Sequence, residues 1–184
     1  MTTLLAFQGD GWSVIGSESR TTAGTRIIDD STTKIAIIGD IVIAACGDVR
    51  GEDIVFHTWK PPAIRTKDLN RYVRSALIPS LRKAFIAAGY EAQPSNDSAS
   101  HSSGFLVSVR GELFQIWTDY AITRSDVYSD GSGGEYAIGA AEALGIREVT
   151  NSKDAESIIR NAIEVAKTYD TASGGAITVV VQSA

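Results

Sequence analysis

The chain opens in a β rhythm. Residues 3–8 ("TLLAFQ") are a short apolar run, "GDG" at 9–11 is a tight-turn signal, and residues 12–19 ("WSVIGSES") alternate in part. Together they predict a hairpin whose first strand carries the N-terminus. Residues 34–38 and 41–46 predict a second hairpin around Gly39 and Asp40. Its returning run, "IVIAAC", is apolar at every position, as in a strand covered on both faces. The period then lengthens. "VRGEDIVFHTWK" predicts a helix that ends before Pro61 and Pro62. The next segment places Leu69, Tyr72, Val73, Leu77, Leu81, Phe85 and Ile86 at spacings of three and four, an amphipathic helix with a kink expected at Pro79. Residues 93–104 are polar and small and read as a loop. Strands return at "FLVSVR" and "ELFQIW", on either side of Gly111. Two helices follow: small-residue "EYAIGAAEALG", stopped by Gly145, and "SKDAESIIRNAIEVAKTYD", starting at Ser152. "AITVVVQ" closes the pattern as a strand.

The order is strands, two helices, strands, two helices, strand. Strict alternation, the mark of a parallel α/β fold, is missing. The pattern predicts an α+β fold: a four-layer αββα sandwich of two stacked antiparallel sheets flanked by helix pairs. No repeat or linker divides the chain, so residues 1–184 are expected to form a single domain.

Composition narrows the function. A net charge of -5 gives no basic surface for nucleic acid or an anionic membrane. Cys46 is the only cysteine, which excludes an internal disulfide and a four-cysteine metal site. No apolar run approaches the roughly 20 residues that cross a bilayer, and the first residues lack the pattern of a secretion signal. The expected location is cytoplasmic.

The candidate chemistry begins at Thr2. A threonine that becomes residue one carries two reactive groups, a hydroxyl nucleophile and its own α-amine as base, with an unperturbed pKa of about 7.7–8.0. Thr2 is small, which makes removal of Met1 the expected processing. No histidine is needed, and His57 and His101 sit in no triad-like context. "GSGG" at 131–134 is reminiscent of a phosphate loop but lacks the lysine such loops use.

The stretch "TTLLAFQGDGWSVIGSESRTTAG" resembles the start of mature proteasome β subunits and of HslV-type threonine peptidases, members of the N-terminal-nucleophile hydrolase superfamily. The family's acidic residue and arginine at the end of the second strand fall on Glu18 and Arg20, and its lysine on Lys34. Its Gly-Ser-Gly helix entry falls on Gly131, Ser132 and Gly133, and its late Asp-x-x-Ser-Gly-Gly on Asp170, Ser173, Gly174 and Gly175. The matches are ordered and span nearly the whole chain. The resemblance implies Thr2 as nucleophile and Lys34 near its hydroxyl, easing alkoxide formation. It implies Glu18 as the carboxylate that orients Lys34, and Arg20 as a brace on that carboxylate. Ser132, Asp170 and Ser173 are implied around the amine. The oxyanion donor is implied to be a backbone N–H of Ala45 or Gly47, with Gly47 favoured. A specificity pocket is implied near Thr21, Thr22, Ala23, Cys46 and Val49, whose small side chains suit a medium apolar or polar residue. Two departures stand out: "AACGDVRGED" is about one residue shorter than the family pattern, and Glu18 replaces the usual aspartate.

By the same resemblance the activity is endoproteolysis of unfolded polypeptide inside stacked rings of identical subunits. No cofactor and no metal is required, and an ATP-dependent unfoldase is the expected cap. Two rival functions are an amidase of the same fold acting on small amides, and a catalytically silent ring subunit serving as scaffold. At the residue level, Glu18 and Lys34 have a plainer reading as an ordinary cross-strand ion pair, worth little if exposed, and Ser132 as a simple helix cap.

Overall fold

Two antiparallel sheets form around the predicted hairpins. The structure, a computed structural model, describes residues 2–91 and 100–184. Strands β1 (Leu4–Gly9) and β2 (Trp12–Glu18) pair across Asp10 and Gly11, with Leu4 opposite Ser17 and Gly9 opposite Trp12. The other strands are β3 (Thr21–Ala23), β4 (Arg26–Asp29), β5 (Ile35–Ile38), β6 (Ile41–Gly47), β7 (Ser103–Val109), β8 (Glu112–Ile116), β9 (Ile122–Thr123), β10 (Val127–Asp130) and β11 (Ile177–Ser183). One sheet has the order β10-β1-β2-β11 and the other β5-β6-β7-β8-β9, while β3 and β4 form a separate two-stranded ribbon.

Side-chain alternation stacks the sheets. In β6, Ile41, Ile43 and Ala45 face outward to a helical layer, and Val42, Ala44 and Cys46 face inward to Leu4, Ala6 and Ile15 of the other sheet. Leu5, Phe7 and Val14 face the opposite helical layer. Each central strand thus has two apolar faces because each lies between two packed layers. The four-layer αββα sandwich is the observed architecture.

One outer layer begins with α1 (Val49–Asp53), capped by Asp48, whose side chain accepts the Arg50 N–H, and it continues as a π turn over Ile54–Thr58. Then come α2 (Leu69–Tyr72), a π turn over Val73–Leu77, and α3 (Ile78–Ala87). Proline has no N–H and its ring crowds the preceding turn. The wider turn, with Ile78 N–H bonded to the Val73 carbonyl, carries the chain into Pro79. The predicted stripe is buried from Leu69 to Phe85, but Ile86 points outward. The other layer is α4 (Gly134–Ala143) and α5 (Ser152–Tyr169).

Helix α5 starts at Ser152 as the sequence predicts; its cap is Asn151, which accepts the Asp154 N–H at 3.0 Å. The loop expected over residues 93–104 ends earlier, since Ser103 and Gly104 begin β7; residues 93–99 of it lie outside the described residues. Strands β3, β4, β9 and β10 were not anticipated. Among the described residues no helix is long and apolar enough to cross a membrane.

Candidate active site

Chain ends fray unless something holds them. Here the start of β1 is held tightly. Thr2 and Thr3 are buried, the Thr3 N–H donates to Glu18 Oε1 at 3.1 Å, and the Thr2 carbonyl accepts the Gly133 N–H at 3.3 Å. The removal of Met1 concerns a residue outside those described.

Glu18 ends β2 and Lys34 directly precedes β5. Both side chains are shut away from water, with Lys34 Nζ 2.5 Å from Glu18 Oε1, so this is no exposed cross-strand pair. A buried carboxylate needs every lone pair engaged. Glu18 Oε1 accepts from Lys34 and from Thr3 N–H; Oε2 accepts from the backbone N–H of Arg20 at 2.6 Å and of Gly174 at 3.0 Å. Lys34 also donates to the Arg20 carbonyl. Because Lys34 and Thr3 N–H share one oxygen, the ammonium lies beside the peptide that joins Thr2 to Thr3. No hydrogen bond of the Thr2 hydroxyl occurs among the described residues.

The guanidinium of Arg20 pairs with Asp30, Nε to Oδ1 at 2.7 Å, because β3 and β4 return Asp30 to it; Arg20 hydrogen-bonds Glu18 only through its main-chain N–H, while the Glu18 charge also acts on the guanidinium.

On the other side of β1, Ser132 Oγ and Ser173 Oγ each donate to Asp170 Oδ2 at 2.7 Å, and Thr3 Oγ1 lies 2.6 Å from Ser173 Oγ. Burial opposes ionisation of Asp170. The hydrogen bonds from Ser132, Ser173 and the Ala172 N–H outweigh it and hold the carboxyl below its ordinary range. Ser132 therefore serves Asp170, and the cap position of α4 belongs to Gly133. The motif's glycines follow from close approach. A Cβ at Gly131, which sits at φ 82°, would meet the Thr2 carbonyl, and one at Gly133 would meet Thr3 Oγ1.

Strand β6 ends over the same region. Its odd-numbered N–H groups point toward β5: Ala45 N–H donates to the Lys34 carbonyl at 3.0 Å, while Asp48 N–H turns the other way to Ser102. By that alternation Gly47 N–H points to the β5 side, past the start of the strand that occupies Ala45. A cavity of about 420 Å³ opens here, lined by Thr2, Cys46, Gly47, Trp117, Asp130 and Ser132 with a few neighbours. Cys46 is the member of the expected pocket set found in it. Thr21, Thr22 and Ala23 lie on the ribbon strand β3, and Val49 is exposed at the start of α1.

Four contributors were not anticipated. Thr3 links both hydrogen-bond groups, and its doubling of Thr2 was the available signal. Asp30 takes the Arg20 side chain. Asp130 directly precedes Gly131. Glu52 on α1 has its carboxyl pushed up to about 7 by burial, against the pull of Lys34. His101 is buried against Phe85, Tyr90 and Tyr120, and neither it nor His57 lines the cavity.

The arrangement sets a hydroxyl at the start of a fixed strand, a buried ammonium on one side and a hydroxyl–carboxylate chain on the other. That is the layout for proton transfer and attack on a carbonyl.

No protein-family model matches the chain. Over 181 residues it is 23% identical to proteasome subunit beta type-9 of Oncorhynchus mykiss, covering 95% of this chain and 79% of that one. Among solved structures it is similar to Thiobacillus denitrificans BPH, at 22% identity and a TM-score of 0.80 over 99% of this chain and 98% of that one. The same protein in complex with epoxomicin matches at 23% identity and a TM-score of 0.81, with the same coverage. Eukaryotic HslV from Trypanosoma brucei matches at 22% identity and a TM-score of 0.68 over the full length of both chains. These likenesses and the four observed layers agree: the chain has the proteasome β/HslV-type fold.

Proposed function

We propose that this protein is a threonine endopeptidase that degrades unfolded polypeptides inside a ring of identical subunits. The observation that carries the reading is the Glu18 carboxylate, shared between Lys34 Nζ and the N–H of Thr3, at the root of the Thr2 side chain. Removal of Met1 frees the Thr2 amine. The hydroxyl attacks the peptide carbonyl and its proton passes to the amine, directly or through a water, while the Lys34 ammonium stabilises the forming alkoxide. Gly47 N–H supports the oxyanion, a donor that is typically worth roughly 2.7–4 kcal/mol. Ser132, Asp170 and Ser173 orient the amine. The C–N bond breaks, the amine returns its proton to the departing nitrogen, and an ester to Thr2 remains. Water then attacks that ester with the amine again as base, releasing the acid and restoring Thr2.

The similarity to a proteasome subunit and to HslV supports ring assembly, a cytoplasmic site of action and an ATP-dependent unfoldase as partner. The similarity to a structure with epoxomicin makes that compound a suitable probe. The test pairs wild type with Thr2→Ala on an unfolded casein substrate. Wild type should cleave and be blocked by epoxomicin, and the variant should lose at least about a thousandfold in rate. A Thr2→Ala protein that cleaves at the wild-type rate contradicts the assigned nucleophile.

A further inference from the structure

The cavity beside Thr2 carries a charge that the proposed chemistry leaves unused. Most of its wall is small or apolar: Cys46, Gly47, Gly104 and the half-exposed ring of Trp117. Asp130 supplies the one charged side chain among its described lining residues. Its Oδ1 accepts the Gly131 N–H at 2.7 Å, and its Oδ2 accepts the side-chain amide of buried Gln115 at 3.3 Å. These bonds aim the carboxylate across β7. A Cβ at Gly104 would run into it, so glycine there leaves it room. Cys46 Sγ and Asp130 Oδ2 both border the space over Gly104, so the two groups face each other, and the Cys46 thiol is pushed up, first by burial and then by Asp130. No cation pairs with Asp130 among the described residues.

Chemistry decides which side of the scissile bond this cavity serves. The amine that takes the Thr2 proton must hand it to the departing nitrogen, so that nitrogen lies within hydrogen-bond reach of the group that Ser132 and Asp170 surround. Gly131 and Ser132 share the cavity wall with Asp130, so a departing chain that leaves over them meets Asp130. A side chain with an apolar stem and a cationic head fits both features of the cavity. The stem lies against Trp117 and Cys46, and the head meets the carboxylate. Resting on the endopeptidase reading, we propose that Asp130 forms a cation-accepting subsite on the leaving-group side, so that lysine or arginine is favoured immediately after the scissile bond.

The test uses the full-length protein and peptides that differ only in the residue after one scissile bond: lysine, Nε-acetyl-lysine, leucine or glutamate. The subsite predicts kcat/KM for lysine about tenfold or more above that for acetyl-lysine or glutamate. In Asp130→Asn the lysine-to-acetyl-lysine ratio should fall to about one. Equal wild-type rates for lysine and acetyl-lysine overturn the subsite while the peptidase stands, and so does a lysine preference that Asp130→Asn keeps. Should Asp130→Asn not fold, the acetylation comparison in wild type decides alone. If wild type cleaves none of the four peptides, and casein no faster than Thr2→Ala does, the endopeptidase reading fails and takes the subsite with it.

Discussion

An ion pair shut away from water adds little to stability, yet removing one partner strands the other. Glu18 and Lys34 are in that position. Lys34→Ala should cost about 3–5 kcal/mol, read as a lower urea midpoint at neutral pH. Lys34→Met, which keeps the stem of the side chain, should lose less stability than Lys34→Ala but as much of the proposed peptidase activity, which separates the structural role of the pair from its chemical one. Wild-type activity in Lys34→Met would exclude Lys34 from the reaction. Glu52 acts in the opposite sense. Burial lifts its carboxyl to about 7, against the attraction of Lys34, so the folded protein holds a proton that the unfolded chain releases at ordinary glutamate pH. Stability from this group is therefore lost as pH rises from that ordinary range through about 7. Glu52→Gln should reduce the difference between melting temperatures at pH 5 and pH 8; an unchanged difference rules out this assignment. The sequence picks out Thr2, Glu18, Lys34, Ser132, Asp170 and Ser173 as candidates because their spacing follows an ordered motif, and the fold brings them together. It could not expose Glu52 or Asp130, which matter through burial and through what they face.

At the scale of elements, the turn from β10 into α4 must pass the first residues of β1 with no side chain between them. Gly133→Ala should push Thr3 away from Ser173, destabilise the fold by about 1–3 kcal/mol and cut activity, seen as a lower melting temperature and a slower rate. A variant as stable and active as wild type would contradict the close approach. The long elements were legible because each repeats a burial period: β6 alternates between two cores, and the run from Leu69 to Phe85 presents one stripe. The ribbon β3–β4 and the short strands β9 and β10 gave little pattern, since two to four residues hold at most two repeats of the strand alternation and most of those in β3, β4 and β9 face solvent. Local chemistry misleads at Ser132, which reads as a helix cap but spends its hydroxyl on Asp170.

For the whole molecule, two sheets carry the site at the ends of β1, β2 and β6, with Asp170 and Ser173 delivered from the end of α5. Layer order was readable from the sequence of strand and helix runs; which sheet edge meets which was not, since pairing between distant strands leaves no local signal. The ring proposed for this chain predicts a sedimenting particle of many 19.5 kDa subunits. A monomer would favour the open-cleft amidase instead. If one terminal threonine supplies both attacking oxygen and proton acceptor, intact mass of the active protein, with peptide mapping after epoxomicin treatment, should show loss of one methionine and an adduct on Thr2. Full peptidase activity from protein that keeps Met1 and takes no adduct there would contradict that role.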